Sequence, residues 1–351
     1  MLSPRQNYLE TARFGKPDSI PVSVLINDAM WAVYREELEA VVLRYPELFH
    51  HTAGAVDYHS MHFSAQENDD RHVTDVWGCE WVYPLRYMDG AVISHPLKSL
   101  DDLESYTPPV SPYSRQLTDR EWQDVIAAAE EDKRCGRLVS GGTDHGIMLL
   151  RHTYLRGFEN AMLDYMDEDE RLYALFDMIV GYYLPLVNHH IRRGADVLYF
   201  AEDLGTQAAP IIGPDTFRKW IAPAYNRLMQ PCRDAGVITW LHSDGHILEL
   251  TDILLESGVD IINLQDLCNG IDQIAQTVKG RACIDLDIDR QKVIPFGTPG
   301  DIDDLIHEEV VKLGSPNGGL MFTCGLYPPT PPENVDALCR ALRKYRTYWW
   351  E

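Results

Sequence analysis

Apolar runs of strand length alternate with helical patterns along most of this 351-residue chain. In the clearest unit, residues 237–241 (VITWL) form an apolar run that stops at His242, and a helical pattern (HILELTDILLES) soon follows. Alternation of this kind is typical of a sheet of parallel strands that is covered by helices. Segments with strand character are residues 20–27, 54–63, 137–146, 195–205, 237–244, 258–266, 281–289 and 318–325.

A count of about eight such units predicts an α/β fold, namely a (β/α)8 TIM barrel that forms a single domain over residues 1–351. We predict two additions in the amino-terminal part, a short helix over residues 4–17 and a β-hairpin or small sheet over residues 75–96. A doubly wound sheet is the alternative architecture, but no GxGxxG segment follows a strand run. The barrel is therefore the expected fold.

The formal net charge of −23 argues against several classes of partner. Because no basic stripe offsets this charge, the chain is poorly suited to bind nucleic acid. The seven cysteines are scattered without a CxxC pair, and the amino terminus has no signal-peptide pattern, so we expect free thiols in a reducing cytoplasm. No apolar stretch is long enough to span a membrane, and we expect no membrane partner.

Polar residues stand where the predicted strands end, which is where the active sites of such barrels lie. Any one of them is more typical of a helix cap than of a catalytic group. Together they would line one rim of the barrel with carboxylates, imidazole and a thiol, a set that suits a metal ion better than a phosphate group. These residues are Asn27, Asp28, Asp144, His145, Glu202, Asp203, His242, Asp244, Gln265, Asp266, Asp285, Asp287 and Cys324.

His242 and Asp244 are two residues apart, so their side chains point to the same side of an extended strand. Cys324 ends the last predicted strand, which a closed barrel would bring near them. Imidazole nitrogen, carboxylate oxygen and thiolate sulfur, with a fourth position open, are typical of a catalytic zinc site. We therefore predict that His242, Asp244 and Cys324 bind a metal ion, although a buried cysteine is more often inert.

Three segments resemble the uroporphyrinogen decarboxylase superfamily: WLHSDGHI (240–247), YFAEDLGTQ (199–207) and GLMFTCGLYPPTPPENVDAL (319–338). TDVWGCEW and GGTDHG extend this resemblance over most of the chain. In the decarboxylases, an arginine-rich segment after the first strand holds the acidic porphyrinogen, whereas this chain reads INDAMWAVY and has no arginine there before Arg35. The chain is thus more similar to the zinc methyltransferases that work with corrinoid proteins.

In that branch, zinc is held by a His-x-Cys-Gly motif and by a later Cys-Gly near the last strand. His242 and Cys324 match these positions, and Asp244 stands where the motif has its first cysteine. The resemblance implies bound Zn2+, a small methylated substrate and a cobalamin carried by a partner corrinoid protein. Since a carboxylate donates less electron density than a thiolate, we expect the metal to polarise the heteroatom of a methyl donor, such as an ether oxygen, while activation of a thiol acceptor stays open.

Glu202 and Asp203 are the predicted catalytic residues, which would position the substrate, complete the metal shell or donate a proton to the leaving group. Substrate contacts are expected from Asn27, Asp144, Gln207, Gln265, Asp266 and Tyr327. Two alternatives are a decarboxylase or other lyase that acts on a small acid, and a non-catalytic binding or chaperone-like barrel. A homodimer is compatible with each of these functions.

Overall fold

The computed structural model describes residues 2–49 and 51–351. Its strands are β1 (Val22–Ile26), β2 (Arg71–Thr74), β3 (Glu80–Tyr83), β4 (Ala91–Ser94), β5 (Ser140–His145), β6 (Val197–Asp203), β7 (Ile238–Asp244), β8 (Ile261–Gln265), β9 (Cys283–Asp287) and β10 (Leu320–Leu326). Its α-helices are α1 (Pro4–Ala12), α2 (Asp28–Val42), α3 (Pro46–Phe49), α4 (Asp119–Arg134), α5 (Leu149–Arg156), α6 (Phe158–Met166), α7 (Arg171–Arg192), α8 (Pro214–Trp220), α9 (Ala222–Ala235), α10 (Thr251–Glu256), α11 (Asp266–Asn269), α12 (Ile271–Thr277), α13 (Val293–Phe296), α14 (Pro299–Leu313) and α15 (Pro332–Tyr345).

Seven parallel strands form one sheet with the order β1-β10-β9-β8-β7-β6-β5. Helices connect the consecutive strands from β5 to β10, which confirms the alternation predicted from the sequence. The edge strands β1 and β5 do not pair with each other among the described residues. The sheet is therefore α/β and parallel, but its backbone hydrogen bonds do not close it into an eight-stranded ring.

The eighth strand predicted at residues 54–63 is absent, and this prediction is wrong. That segment is a loop with a short 3-10 helix at Tyr58–Ser60. The ring of Tyr58 stacks on Trp31 of α2 with the centroids 6.1 Å apart, and its hydroxyl donates to Glu39 at 2.8 Å. The apolar character of the segment thus serves packing on α2 rather than pairing in the sheet.

The small sheet predicted for residues 75–96 is present and has a third strand, because β2 pairs antiparallel with β3, and β3 with β4. This sheet and its loop lie near the end of β1 and near α5, the helix after β5. At the end of β1, Asn27 donates its Nδ2–H to the carbonyl of Tyr87 at 2.9 Å. After β5, the ring of Tyr154 in α5 meets the ring of Trp81 at 4.9 Å. The small sheet and its β3–β4 loop therefore pack against the end of β1 and against α5, the helix that follows β5.

Local sequence signals explain where several helices begin and end. α4 begins after Thr118, whose hydroxyl accepts from the backbone N–H of Glu121 while the Glu121 carboxylate accepts from Thr118, forming a capping box. α9 ends at Gly236, whose φ of 70° is a left-handed conformation that costs glycine little. None of the described helices combines the length and apolarity that a membrane span requires.

Successive side chains of each strand point to opposite faces of the large sheet. The outer face packs against the helices in the main hydrophobic core. The inner face forms a separate small core, in which residues of β6 and β10 meet one another and Ala12 of α1, so the sheet curls around it. The small core comprises Ala12, Val197, Ile238, Ile261, Cys283 and Met321, all near the amino ends of the strands. The carboxyl ends of the inner face are left for polar residues.

Candidate metal centre

β7 places His242 and Asp244 on the inner face of the sheet, as predicted. Leu241 and Ser243 point to the outer face, where both are fully buried. The Ser243 hydroxyl accepts there from the backbone N–H of Leu204 at 2.8 Å. His242 Nε2 lies 3.5 Å from Asp244 Oδ1. The imidazole and the carboxylate therefore share one side of the strand.

β6 adds Asp203 to the same face, since its register pairs Asp203 with Asp244 and Ala201 with His242. Asp203 Oδ1 lies 3.6 Å from His242 Nε2 and accepts from the backbone N–H of Asp244 at 3.1 Å. The predicted catalytic residue Asp203 thus belongs to the cluster around His242.

β5 contributes His145, which the sequence placed among the polar residues at the strand ends but not among the predicted ligands, catalytic residues or substrate contacts. An irregularity in the pairing of β5 with β6 between Gly142 and His145 shifts the register, so that His145 pairs with Ala201 and faces inward. His145 Nε2 lies 3.4 Å from Asp203 Oδ2. Asp144, which was predicted to contact substrate, is exposed beside it and does not join the cluster. The GGTDHG segment marked this strand end, but it did not show which of Asp144 and His145 turns inward.

One candidate ligand atom from each of His145, Asp203 and His242 lies within 4.8 Å of the others. Nitrogen and carboxylate oxygen are ligands that zinc accepts. His242 Nδ1 lies 2.5 Å from Oδ1 of Asn263, so this nitrogen carries the proton and Nε2 is free to face the cluster. The His145 side chain is 47% exposed, which opens the cluster toward solvent on the β5 side. The three residues fit a metal ion with an open position.

His145 and Asp203 each stabilise the charged form of the other. The hydrogen bond and the negative charge of Asp203 raise the pKa of His145, although burial opposes this. Burial alone would raise the pKa of Asp203, but the contact with His145 lowers it below its usual value. Asp203 is therefore a carboxylate at neutral pH, which suits a ligand and not a proton donor.

Arg290 approaches the same strand ends, and the sequence reasoning missed it. Its Nη2 donates to both oxygens of Asp244 at 2.6 and 2.8 Å, and its Nη1 lies 3.2 Å from Asp287 Oδ2. Asp287 is 2% exposed, and neither of its oxygens has a hydrogen bond within the described part of the chain. Burial raises the pKa of Asp287 to about 7, although Arg290 lowers it. With His242, Asp244 and Asp287 form a second group of candidate ligands.

Cys324 does not reach either group. It lies on β10, pairs with Val24 of β1, and is fully buried in the main core between the sheet and the helices. Its neighbour Thr323 is the residue that faces inward, where its hydroxyl donates to Asp285 at 3.0 Å. Burial raises the pKa of the Cys324 thiol well above its usual value, so the thiol stays protonated. The structure therefore does not bring together the predicted ligands His242, Asp244 and Cys324.

Glu202, the other predicted catalytic residue, also lies on the outer face and is fully buried. Its carboxylate accepts from the backbone N–H groups of Met148 at 2.8 Å and Leu149 at 2.9 Å, at the start of α5. Burial raises the pKa of Glu202 to about 7, although these amides lower it. Glu202 fixes the chain that leaves β5 and does not face the cluster.

Two of the predicted substrate residues have structural roles. Asn27 caps α2, accepting from Ala29 N–H at 2.8 Å. Asp266 is 1% exposed and accepts from the backbone of Leu267 and of Asp289.

A cavity of about 210 Å³ lies beside the second group of candidate ligands, and its wall contains three of the predicted substrate residues, Asp266 among them. Gln207 and Gln265 line it together with Asp287 and Arg290. Tyr327 borders the same region, since its ring centre lies 5.9 Å from the Arg290 guanidinium. The cavity is thus a candidate pocket for a small molecule.

Comparison with known proteins identifies relatives of this chain. The family model described as "Uroporphyrinogen decarboxylase (URO-D)" matches residues 73–345. The methylcobamide:CoM methyltransferase MtaA of Methanosarcina barkeri is 28% identical over 169 residues, which cover 46% of this chain and 45% of that protein. MtbA of Methanosarcina mazei, with the same activity in its name, is 24% identical over 176 residues, covering 49% of each chain. This chain therefore spans about half the length of the curated relatives it matches.

A solved structure shares the fold along almost the whole chain. It is a methyltransferase from Methanosarcina mazei, which superposes with a TM-score of 0.67 at 17% identity and covers 98% of this chain and 99% of its own. At this identity the likeness concerns the fold alone.

Proposed function

Since the chain belongs to the uroporphyrinogen decarboxylase family, we propose that it is a metal-dependent methyltransferase that moves a methyl group between a small methylated substrate and a cobalamin on a partner protein. Relatives named as methylcobamide:CoM methyltransferases support methyl transfer in general. The observation that carries the proposal is the convergence of His145, Asp203 and His242 at the carboxyl ends of β5, β6 and β7, within 4.8 Å of one another. Such strand ends are where barrel enzymes build their active sites.

The donor set favours zinc, because two imidazoles and a carboxylate are ligands that catalytic zinc sites use. When bound, the ion would supply Lewis acidity toward the heteroatom that carries the methyl group. Hydrogen bonds within the chain orient the atoms that would bind the metal ion. Asn263 accepts from His242 Nδ1–H and so aims Nε2 at the cluster, and the N–H of Asp244 holds one oxygen of Asp203.

The cavity beside the second group of candidate ligands, which Asp287 lines, sets the size of the substrate that we expect. Its volume of about 210 Å³ is below the roughly 300 Å³ at which pockets for drug-sized ligands begin, so a small molecule is expected there. Asp287 lines this cavity, and burial raises its pKa to about 7. We infer that Asp287, rather than Glu202, holds the proton that a leaving oxygen or nitrogen would take up. Activation of a thiol acceptor in the same cavity is the second direction of transfer.

The decarboxylase alternative has less support from the geometry. A substrate with several carboxylates would need several cations, whereas Arg290 is already paired with Asp244 and Asp287, which leaves Lys292 as the other basic residue in the cavity wall. Carboxylates at the same strand ends would also repel such a substrate.

The test follows the absorption spectrum of free cobalamin after addition of zinc-loaded protein. Cob(I)alamin is offered aryl methyl ethers and methylamines, and methylcobalamin is offered small thiols. We expect formation or loss of methylcobalamin that requires zinc and is abolished in His242→Ala. His62→Ala is the matched control, because His62 is an exposed histidine paired with Glu67 and should leave the rate unchanged. If no donor and no thiol alters the spectrum, or if His242→Ala and the parent protein react equally, the proposal fails.

A further inference from the structure

The structure indicates which residues hold the metal ion, and these differ from the residues at the positions of the family's zinc motif. We propose that His145, Asp203 and His242 bind it between β5, β6 and β7, and that Asp244 and Cys324, which stand at the motif positions, are not ligands. This inference rests on the metal requirement of the proposed function. It moves the ion away from β10 and toward β5, and it replaces sulfur ligands by nitrogen and oxygen.

The register of β10 excludes Cys324 as a metal ligand. Strand neighbours that pair across a parallel sheet share a face, and Cys324 pairs with Val24, a core residue of the outer face. The inward position next to it is taken by Thr323, which pairs with Asp287 and donates to Asp285. A one-residue slip of β10 would be needed to turn the sulfur inward, and it would move the whole apolar set of the strand out of the core.

The ion pair with Arg290 excludes Asp244 as a metal ligand. Arg290 donates to both of its oxygens, at 2.6 and 2.8 Å, and also lies within ion-pair distance of Asp287. The Arg290 guanidinium therefore already supplies the positive charge that a metal ion would bring to Asp244 and Asp287. A divalent ion placed on Asp244 would have to displace this charge-assisted hydrogen bond or stand beside a positive charge, and both cost free energy in a partly buried place.

The remaining group, which consists of His145, Asp203 and His242, has the geometry of a metal site. His145 and His242 approach Asp203 from two sides, with nitrogen-to-oxygen distances of 3.4 and 3.6 Å. The irregular register of β5 is what turns His145 inward, and Glu202 fixes the residues that follow it by binding the amides of Met148 and Leu149. Three protein ligands and an exposed side leave one position for substrate, which is the arrangement of a catalytic zinc site.

Cobalt(II) provides a direct probe of this ligand set, because thiolate ligands give it an intense sulfur-to-cobalt charge-transfer band and nitrogen and oxygen ligands do not. Protein freed of metal by a chelator is titrated with Co2+ and compared with four variants. We expect one Co2+ per chain without a charge-transfer band. His145→Ala and Asp203→Asn should weaken binding by more than about 100-fold, the upper end of what loss of a supporting hydrogen-bond partner costs.

Cys324→Ala and Asp244→Asn are the matched controls, and both should bind Co2+ within about threefold of the parent protein, well below the effect of losing a supporting partner. Circular dichroism and thermal unfolding establish that each variant is folded. A charge-transfer band that disappears in Cys324→Ala overturns the inference, and so does tight binding by folded His145→Ala. If Co2+ binds as expected but cobalamin is never methylated or demethylated, the ligand assignment stands and the proposed function fails.

Discussion

Replacing Asp285 by asparagine is expected to stabilise the fold in alkaline solution and to change its stability little in acid. Asp285 lies below the cluster on the inner face and is 6% exposed. Trp240 Nε1 donates to its Oδ2 at 2.8 Å and the Thr323 hydroxyl to its Oδ1 at 3.0 Å. Burial raises the pKa of Asp285 to about 6 from the usual 3.8, although these hydrogen bonds lower it. The folded state therefore disfavours the charged form.

The magnitude follows from this pKa difference. A carboxyl group whose pKa is raised by folding contributes stability that is fully present below its unfolded pKa and is lost as pH rises through the folded one. A shift of about two units corresponds to about 3 kcal/mol, of which about 2 kcal/mol is lost between about pH 4.5 and pH 8. Asparagine has nearly the same shape, offers an oxygen to Trp240 and cannot ionise. D285N should therefore gain about 2 kcal/mol over the parent protein across this interval.

Urea unfolding of the metal-free protein, followed by tryptophan fluorescence at both pH values, measures this change. Asp124→Asn, at an exposed position of α4, is the matched control and should shift stability equally at both pH values. If D285N differs from the parent protein by the same amount in acid and in alkali, burial does not govern the ionisation of Asp285, and the reasoning is refuted.

Two further substitutions test buried polar contacts. Glu202→Leu should lower the free energy of unfolding by about 2–6 kcal/mol, because two buried amides at the start of α5 lose their acceptor at about 1–3 kcal/mol each; a loss below 1 kcal/mol contradicts this contact. Arg156→Met should cost about 3–5 kcal/mol, since it leaves the buried carboxylate of Asp164 without its bidentate partner. Arg44→Met breaks an exposed ion pair and should cost at most about 1 kcal/mol, and equal losses in the two arginine variants would argue against the role of burial.

Much of the fold could be predicted from the sequence, because strands such as β6 and β7 contain apolar runs and the connecting helices show a helical period. The failure at residues 54–63 has a physical reason. Tyr58 contributes to an apolar run there, yet its ring packs on Trp31 and its hydroxyl bonds to Glu39. A short apolar segment does not reveal whether its partner is a neighbouring strand or the side of a helix.

The candidate site could be predicted only where it depends on spacing within one strand. His242 and Asp244 share a face because they are two residues apart. The face of Cys324 depends instead on how β10 pairs with β1 and β9, and the sequence of β10 does not contain that register. His145 turns inward because of an irregularity in β5, and Glu202 turns outward because Asp203 faces inward. The face on which these side chains lie is therefore set by pairing between strands that are distant in the chain.

The most direct test of the central claim is anomalous diffraction at the zinc absorption edge from a crystal of the zinc-loaded protein. We expect one strong peak bonded to His145 Nε2, His242 Nε2 and a carboxylate oxygen of Asp203, at the roughly 2.0–2.2 Å typical of zinc with nitrogen and oxygen ligands. A peak bonded to the sulfur of Cys324, or one held by Asp244 without His145, would contradict it.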